Sequence, residues 1–131
     1  MWWTGLNAGD CKRGMAALGS ELRSVRTGGR EFYIHESART RGFRSGTDLL
    51  LAPYDEYLIG YKSRDIVLPE MHRHRAHNNS GNFSPIVLRD GIVCGNWKPF
   101  DKTLSATFFD SSAPTASLTS HWQTYLQFLE K

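Results

Sequence analysis

Cysteine is scarce in this sequence, with only Cys11 and Cys94 among 131 residues. The two lie far apart, in neither a CxxC nor a metal-ligand spacing, which argues against a disulfide scaffold or a zinc ribbon and reads as two buried, reduced thiols. No apolar run approaches the ~20 residues of a membrane span, and the start lacks the basic-then-apolar layout of a leader peptide. The expectation is a cytoplasmic chain that does not engage a membrane. Also missing are a nucleotide-binding glycine fingerprint, a P-loop and any Ser/His/Asp order. Gly28-Gly29 is the tip of a hairpin and not a phosphate cradle. Nothing in the sequence asks for a cofactor.

What is present suits a folded domain, or one domain with a small appendage. Hydrophobic residues make up 40% and aromatics 12%, ordinary values for a globular core. The net charge is +3, and its distribution is more telling. Residues 1–49 carry eight Lys/Arg against five Asp/Glu, whereas residues 50–131 carry eight against eight. Arg39, Arg41 and Arg44 form a run free of acids. Such a stripe favours an anionic partner, nucleic acid first. A solvated linker fits the same composition.

The organising stretch is Leu49 to Asp65, LLLAPYDEYLIGYKSRD. Leu49-Leu50-Leu51-Ala52 is apolar enough for a strand buried on both faces, which Pro53 bends or ends. Asp55 and Glu56 then sit between Tyr54 and Tyr57. Adjacent residues of a strand point to opposite faces, so the two carboxylates do not converge as an acid–base pair. They read instead as acceptors for Arg or backbone N–H groups, with Tyr57 and Tyr61 packed around them.

Before it, Asn7 is a suitable N-cap for a helix over Ala8–Leu18, closed by Gly19. Glu21 to His35 is expected to be a hairpin turning at Thr27-Gly28-Gly29-Arg30. Helix, hairpin and the Gly5-Leu6-Asn7 corner together match the tail of a winged helix, with Lys12 and Arg13 on its recognition-type helix and Arg26 and Arg30 at the wing tip. After the organising stretch, Glu70 to His77 suggests a short helix. His72-x-His74-x-x-His77 puts only His74 and His77 on one helical face, so a metal site would need His35 or the Asp55/Glu56 pair to join, and none is assigned. Phe83–Leu88 and Ile92–Trp97 flank Asp90-Gly91 as a hairpin, Thr103–Phe109 alternates as a third strand, and Ala116–Leu129 closes the chain as a helix.

Three blocks carry a resemblance. The organising stretch resembles the LLP-x-[FY]-DEYL-x-GY-x-x-R segment of a bacterial family of winged-helix DNA-binding proteins that includes alkylation and interstrand-crosslink repair DNA glycosylases. Trp2-Trp3-Thr4-Gly5-Leu6 resembles its WW-[ST]-GL helix end. Asn82 to Lys98 resembles its FSP-x-V-L-x-DG-x-V-x-G-x-W-[KR] hairpin. Family members are usually much longer, so the chain resembles their C-terminal part. The family's catalytic glutamine motif has no counterpart here: the only glutamines are Gln123 and Gln127, and no catalytic residue carries over.

The expected fold is therefore α+β. A winged-helix remnant at 1–36 (helix plus β-hairpin wing) and a basic linker at 37–48 precede a β-rich domain at 49–131, an antiparallel, barrel-like unit with a C-terminal helix. The expected function is a non-catalytic DNA-binding module. It would contact the backbone of double-stranded DNA weakly through Lys12, Arg13, Arg26, Arg30, Arg39, Arg41 and Arg44. The alternative is an interaction domain that docks through Trp2, Trp3 and Leu6 onto an upstream winged-helix domain, a partner protein or a second copy as a homodimer.

Overall fold

The computed structural model describes residues 2–39 and 44–130. It divides into two units, Met1–Phe43 with Gly60–Lys62, and Arg44–Ile59 with Ser63–Lys131.

The first unit begins with helix α1, Ala8–Leu18. Asn7 caps it reciprocally: its side-chain oxygen accepts from the Asp10 backbone N–H at 2.9 Å while its amide donates to the Asp10 carboxylate at 2.7 Å. This satisfies donors that a helix start leaves open. Gly19, at φ 49°, ends the helix and returns its N–H to the Met15 carbonyl, a backbone turn that other residues resist. Strands β1 (Leu22–Thr27) and β2 (Arg30–His35) follow, pairing antiparallel from Leu22↔His35 to Thr27↔Arg30. Gly28 and Gly29 both have positive φ, the requirement of a two-residue primed turn. His35 fastens the open end. Its Nδ1 accepts from the Ser37 N–H at 3.1 Å, so the proton sits on Nε2 and is donated to Glu21, 3.1 Å away.

The second unit is built on a four-stranded antiparallel sheet in the order β3-β4-β5-β6: β3 is Asp48–Leu51, β4 Ile86–Arg89, β5 Ile92–Phe100 and β6 Thr103–Phe108. β4 and β5 turn at Asp90-Gly91, both at positive φ. β4 starts at Ile86, later than the sequence suggests, because Pro85 has no N–H for the ladder; Phe83 makes only an isolated bridge with His77.

Period-two alternation splits the sheet's side chains between two cores. Ile86, Leu88 and Val93 face Leu58, Leu68 and Ala76, with Leu49 and Leu51 beside them. Val87 and Trp97 face Leu118 and Trp122 of helix α4 (Ala116–Leu129), with Leu50 beside them. A bulge between Val87 and Leu88 lets β5 keep Val93 on the first face and Trp97 on the second. At Gly95 a Cβ would stand 2.7 Å from the Thr107 carbonyl oxygen, so only glycine lets β6 come this close.

The barrel-like expectation is corrected here. β3 and β6 are the two edges of an open sheet and do not pair with each other. The reason is packing. Helix α4 covers one face, and Tyr57, Leu58, Val67, Leu68 and Ala76 cover the other, so both faces are buried without the sheet curling onto itself. β3 is accordingly half-buried at a margin, not a central strand.

Candidate functional site

Nothing on α1 is buried. Its sequence nonetheless carries a stripe of Cys11, Met15 and Leu18, and the residues before it are Trp2, Trp3 and Leu6. The two indoles are 58% and 59% exposed, and Leu6 and Leu18 are exposed as well. Gly5, at φ 70°, makes the corner that leads into α1. Large apolar side chains clustered in sequence and more than half exposed are consistent with an interaction surface.

The basic residues are placed less uniformly than their count suggests. Arg13 pairs with Asp10 one turn earlier on α1, leaving Lys12 as the exposed cation beside it. Arg26 stands directly across the hairpin from Glu31, and Tyr33 donates its hydroxyl to the same carboxylate at 2.9 Å. That hydrogen bond and the Glu31 charge raise the Tyr33 phenol above its ordinary range, with Arg26 opposing. Arg30 faces Thr27 at the turn. Arg39 and Arg44 are exposed; Arg41 lies outside the described residues. Two of the expected phosphate contacts, Arg13 and Arg26, thus already face a carboxylate.

The carboxylates of the organising stretch sit on a turn of helix and not on a strand. Asp55 precedes the single turn α2 (Glu56–Ile59), and its side chain accepts the Tyr57 N–H at 2.9 Å while its carbonyl accepts from Leu58 and Ile59. Glu56 and Tyr61 are exposed. The Tyr57 hydroxyl reaches the β4–β5 turn and donates to the Gly91 carbonyl at 2.6 Å. Tyr57 thus ties α2 to the sheet, whereas Asp55 only caps the turn.

The most heavily bonded polar group is one that the sequence does not single out. Asp48 is 0% exposed. Arg89 grips it with Nε at 2.7 Å and Nη2 at 3.0 Å, and Thr115 adds its N–H and hydroxyl, both at 2.9 Å. Arg89 also donates to the Ala113 carbonyl at 2.7 Å and lies over the Phe108 ring. Burial alone would raise the Asp48 carboxyl, but the Arg89 and Thr115 hydrogen bonds and the Arg89 charge hold it below its ordinary range. Asp48 thereby locks β3, β4 and the start of α4 together.

Cys94 and Cys11 are both half-buried and unpaired with each other. Burial pushes the Cys94 thiol up to about 11, and its sulfur lies 3.5 Å from the Val87 carbonyl, which makes it a packing group and not a nucleophile. Among the described residues, no group of three His, Cys, Asp or Glu is placed to hold a metal, and no helix is long and apolar enough to cross a membrane.

Set beside known proteins, residues 1–117 match a family described as DNA glycosylase AlkZ-like. An interstrand DNA cross-link repair glycosylase of Streptomyces sahachiroi is 32% identical over 119 residues, which is 82% of this chain and 31% of that protein. The solved structure of the Streptomyces sahachiroi DNA glycosylase AlkZ aligns with a TM-score of 0.71 at 25% identity, over 90% of this chain and 33% of that one. The chain therefore spans about a third of the length of these relatives.

Proposed function

Because this chain belongs to the DNA glycosylase AlkZ-like family of winged-helix proteins, we propose that it acts as the family's non-catalytic docking portion. Its Trp2/Trp3/Leu6 face then completes a winged helix with polypeptide from elsewhere. The observation that carries this reading is the shallow burial of helix α1. α1 buries no residue, although it is capped at both ends and carries an apolar stripe. A helix of 11 residues is too short to be stable from propensity alone and needs a packed face.

The half-exposed indoles support the same view. Together they leave on the order of 300 Å² of mostly apolar surface in water, worth several kcal/mol if covered. The relatives are about three times as long, so in them further polypeptide is at hand to supply the cover. For the isolated 131-residue chain, a second copy is the available partner, most simply as a twofold dimer. Sedimentation velocity tests this: the wild type is expected to dimerise at micromolar concentration, and Trp2→Ser with Trp3→Ser to yield a monomer. A wild type that stays monomeric at high micromolar concentration, with the double variant unchanged in mass and stability, counts against it.

DNA contact is a secondary role in this proposal. Lys12 and Arg39 of the first unit and Arg44 of the second are exposed, which supports weak, backbone-directed binding. The ion pair of Arg13 with Asp10, and the Glu31 carboxylate across the ladder from Arg26, reduce the charge available for it. The glycosylase chemistry of the longer relatives is not proposed for this chain.

A further inference from the structure

The short helix that follows Pro69 makes a pocket of its own within the second unit. A 3₁₀ turn, Glu70–His72, runs into helix α3, Arg73–Ala76. Glu70, Arg73, His74 and His77 recur at the spacing that puts residues on one helical face. With Asn78 and Asn79 they line an open pocket of about 460 Å³. Every lining residue is polar or charged. The opposite face of the same helix is spent on packing: Ala76 is fully buried, His72 lies against Phe109, and Arg75 covers that ring.

The pocket is short of negative charge. Glu70 is its one acid, held by Arg73 at 3.3 Å in a well-exposed pair, the kind that contributes little and is readily exchanged. Arg64 stands over the Phe83 ring, on which His77 is stacked at 5.1 Å. Burial pushes the His77 imidazole below its ordinary range, and the Arg64 and Arg73 charges push it the same way. Arg64 is lowered in turn, by burial and then by the Arg73 charge. The Arg64 and Arg73 charges thus both bear on the His77 side of the pocket.

Unused hydrogen-bonding capacity collects at the same place. The His77 Nε2 is shut off from solvent and has no partner among the described residues, a cost that folded proteins seldom leave standing. The Asn78 side-chain oxygen accepts from Ser80 and Asn82, both at 3.0 Å, so its amide hydrogens take no part in that turn. A guanidinium, two imidazoles and carboxamide donors are the set that a tetrahedral oxyanion recruits. They do not suit an apolar ligand, and no metal-holding group exists here among the described residues.

We infer that the pocket formed by Arg73, His74, His77 and Asn78 is a binding site for a phosphate group. Two sources share that chemistry, a free phosphate or phosphomonoester and a phosphodiester of a nucleic-acid backbone. The site lies wholly in the second unit and does not rest on the docking of the first.

The test is a residue-resolved titration of the histidine ring nitrogens by NMR on the full chain, at fixed pH and ionic strength. One arm uses inorganic phosphate replacing chloride, the other a short DNA duplex. The inference expects saturable shifts at His77 and His74 while His35 and His121 stay still. Shifts with inorganic phosphate alone identify the free-phosphate source; shifts that saturate at much lower concentration with duplex identify the backbone. Arg73→Ala should weaken the response about tenfold or more, the loss of a charge-assisted hydrogen bond. Glu70→Gln, which removes the competing carboxylate at an exposed position, should tighten it several-fold. Rings unmoved in both arms overturn the inference. So do equal shifts with chloride, or a Glu70→Gln protein that binds no better than wild type.

Discussion

At the residue scale, Asp48 is the position on which the second unit depends most. Removing its carboxylate strands the Arg89 guanidinium and the Thr115 donors, so Asp48→Ala should cost about 3 kcal/mol in denaturant unfolding, near the lower end for breaking a buried pair because Arg89 retains some access to water. Its pH dependence follows from the direction of the shift. The folded carboxyl is held below its ordinary value, so its contribution is complete above the unfolded carboxylate pKa of ~3.9 and fades as pH falls towards the folded value. Asp48→Asn should flatten that acid limb as well as lower stability at neutral pH; an unchanged acid limb would mean that other carboxylates set it. Cys94 carries a second prediction. With its thiol pushed up to about 11, it should resist alkylation at neutral pH until the chain unfolds, as peptide mass mapping can show. Asp48 was hard to find from sequence. It reads as the polar end of a loop before three leucines, and Arg89 as an ordinary charge before a turn. Only the β3–β4 register, Asp48↔Arg89, joins them.

At the element scale, local signals were legible where the backbone itself is constrained. Asn7 and Gly19 bound α1, Gly28-Gly29 and Asp90-Gly91 place two hairpins, and the apolar spacing of Leu118, Trp122 and Tyr125 marks α4. The first three are settled within a few residues by capping or positive φ, and α4 by its apolar period. Sheet closure was not legible, because it depends on what covers the two faces, and Tyr57, Leu58, Val67, Leu68 and Ala76 give little sign in the sequence that they cover one. Asp55 and Glu56 were misplaced on a strand for a similar reason: one turn of helix is too short to show a period. The Tyr57–Gly91 bond gives this scale its prediction. Tyr57→Phe removes the donor to a partly buried carbonyl and should cost about 1 kcal/mol, read as a lower urea midpoint. The arginine stripe gives another. If about three to five phosphates are engaged, log K should fall against log[salt] with a slope of roughly −3 to −5. Replacing Arg39, Arg41 and Arg44 with Ala together should make that slope shallower; an affinity indifferent to both would make the stripe a linker only.

At the scale of the whole molecule, the two units differ in how complete they are. The second has two filled cores, a satisfied buried carboxylate and an indole N–H, Trp97 to the Leu51 carbonyl at 2.7 Å, with its acceptor in place. The first has a capped helix and a fastened hairpin but no buried residue in α1. That contrast, together with a span of about a third of its relatives, is why docking is proposed as the main role ahead of DNA contact. Family membership was legible because its three motif blocks are spread along the chain. The sequence also put two tryptophans in a row at its start, but only the structure shows them more than half exposed ahead of a helix with no fully buried residue. Amide hydrogen exchange across a concentration series tests the central claim most directly, since it reports where a partner lands and not merely that mass increases. Peptides covering residues 2–18 are expected to gain protection as concentration rises, while those from β4, β5 and α4 do not change, and Trp2→Ser with Trp3→Ser is expected to abolish the gain. Protection over 2–18 that is the same at every concentration, or a gain located in the second unit instead, would contradict it.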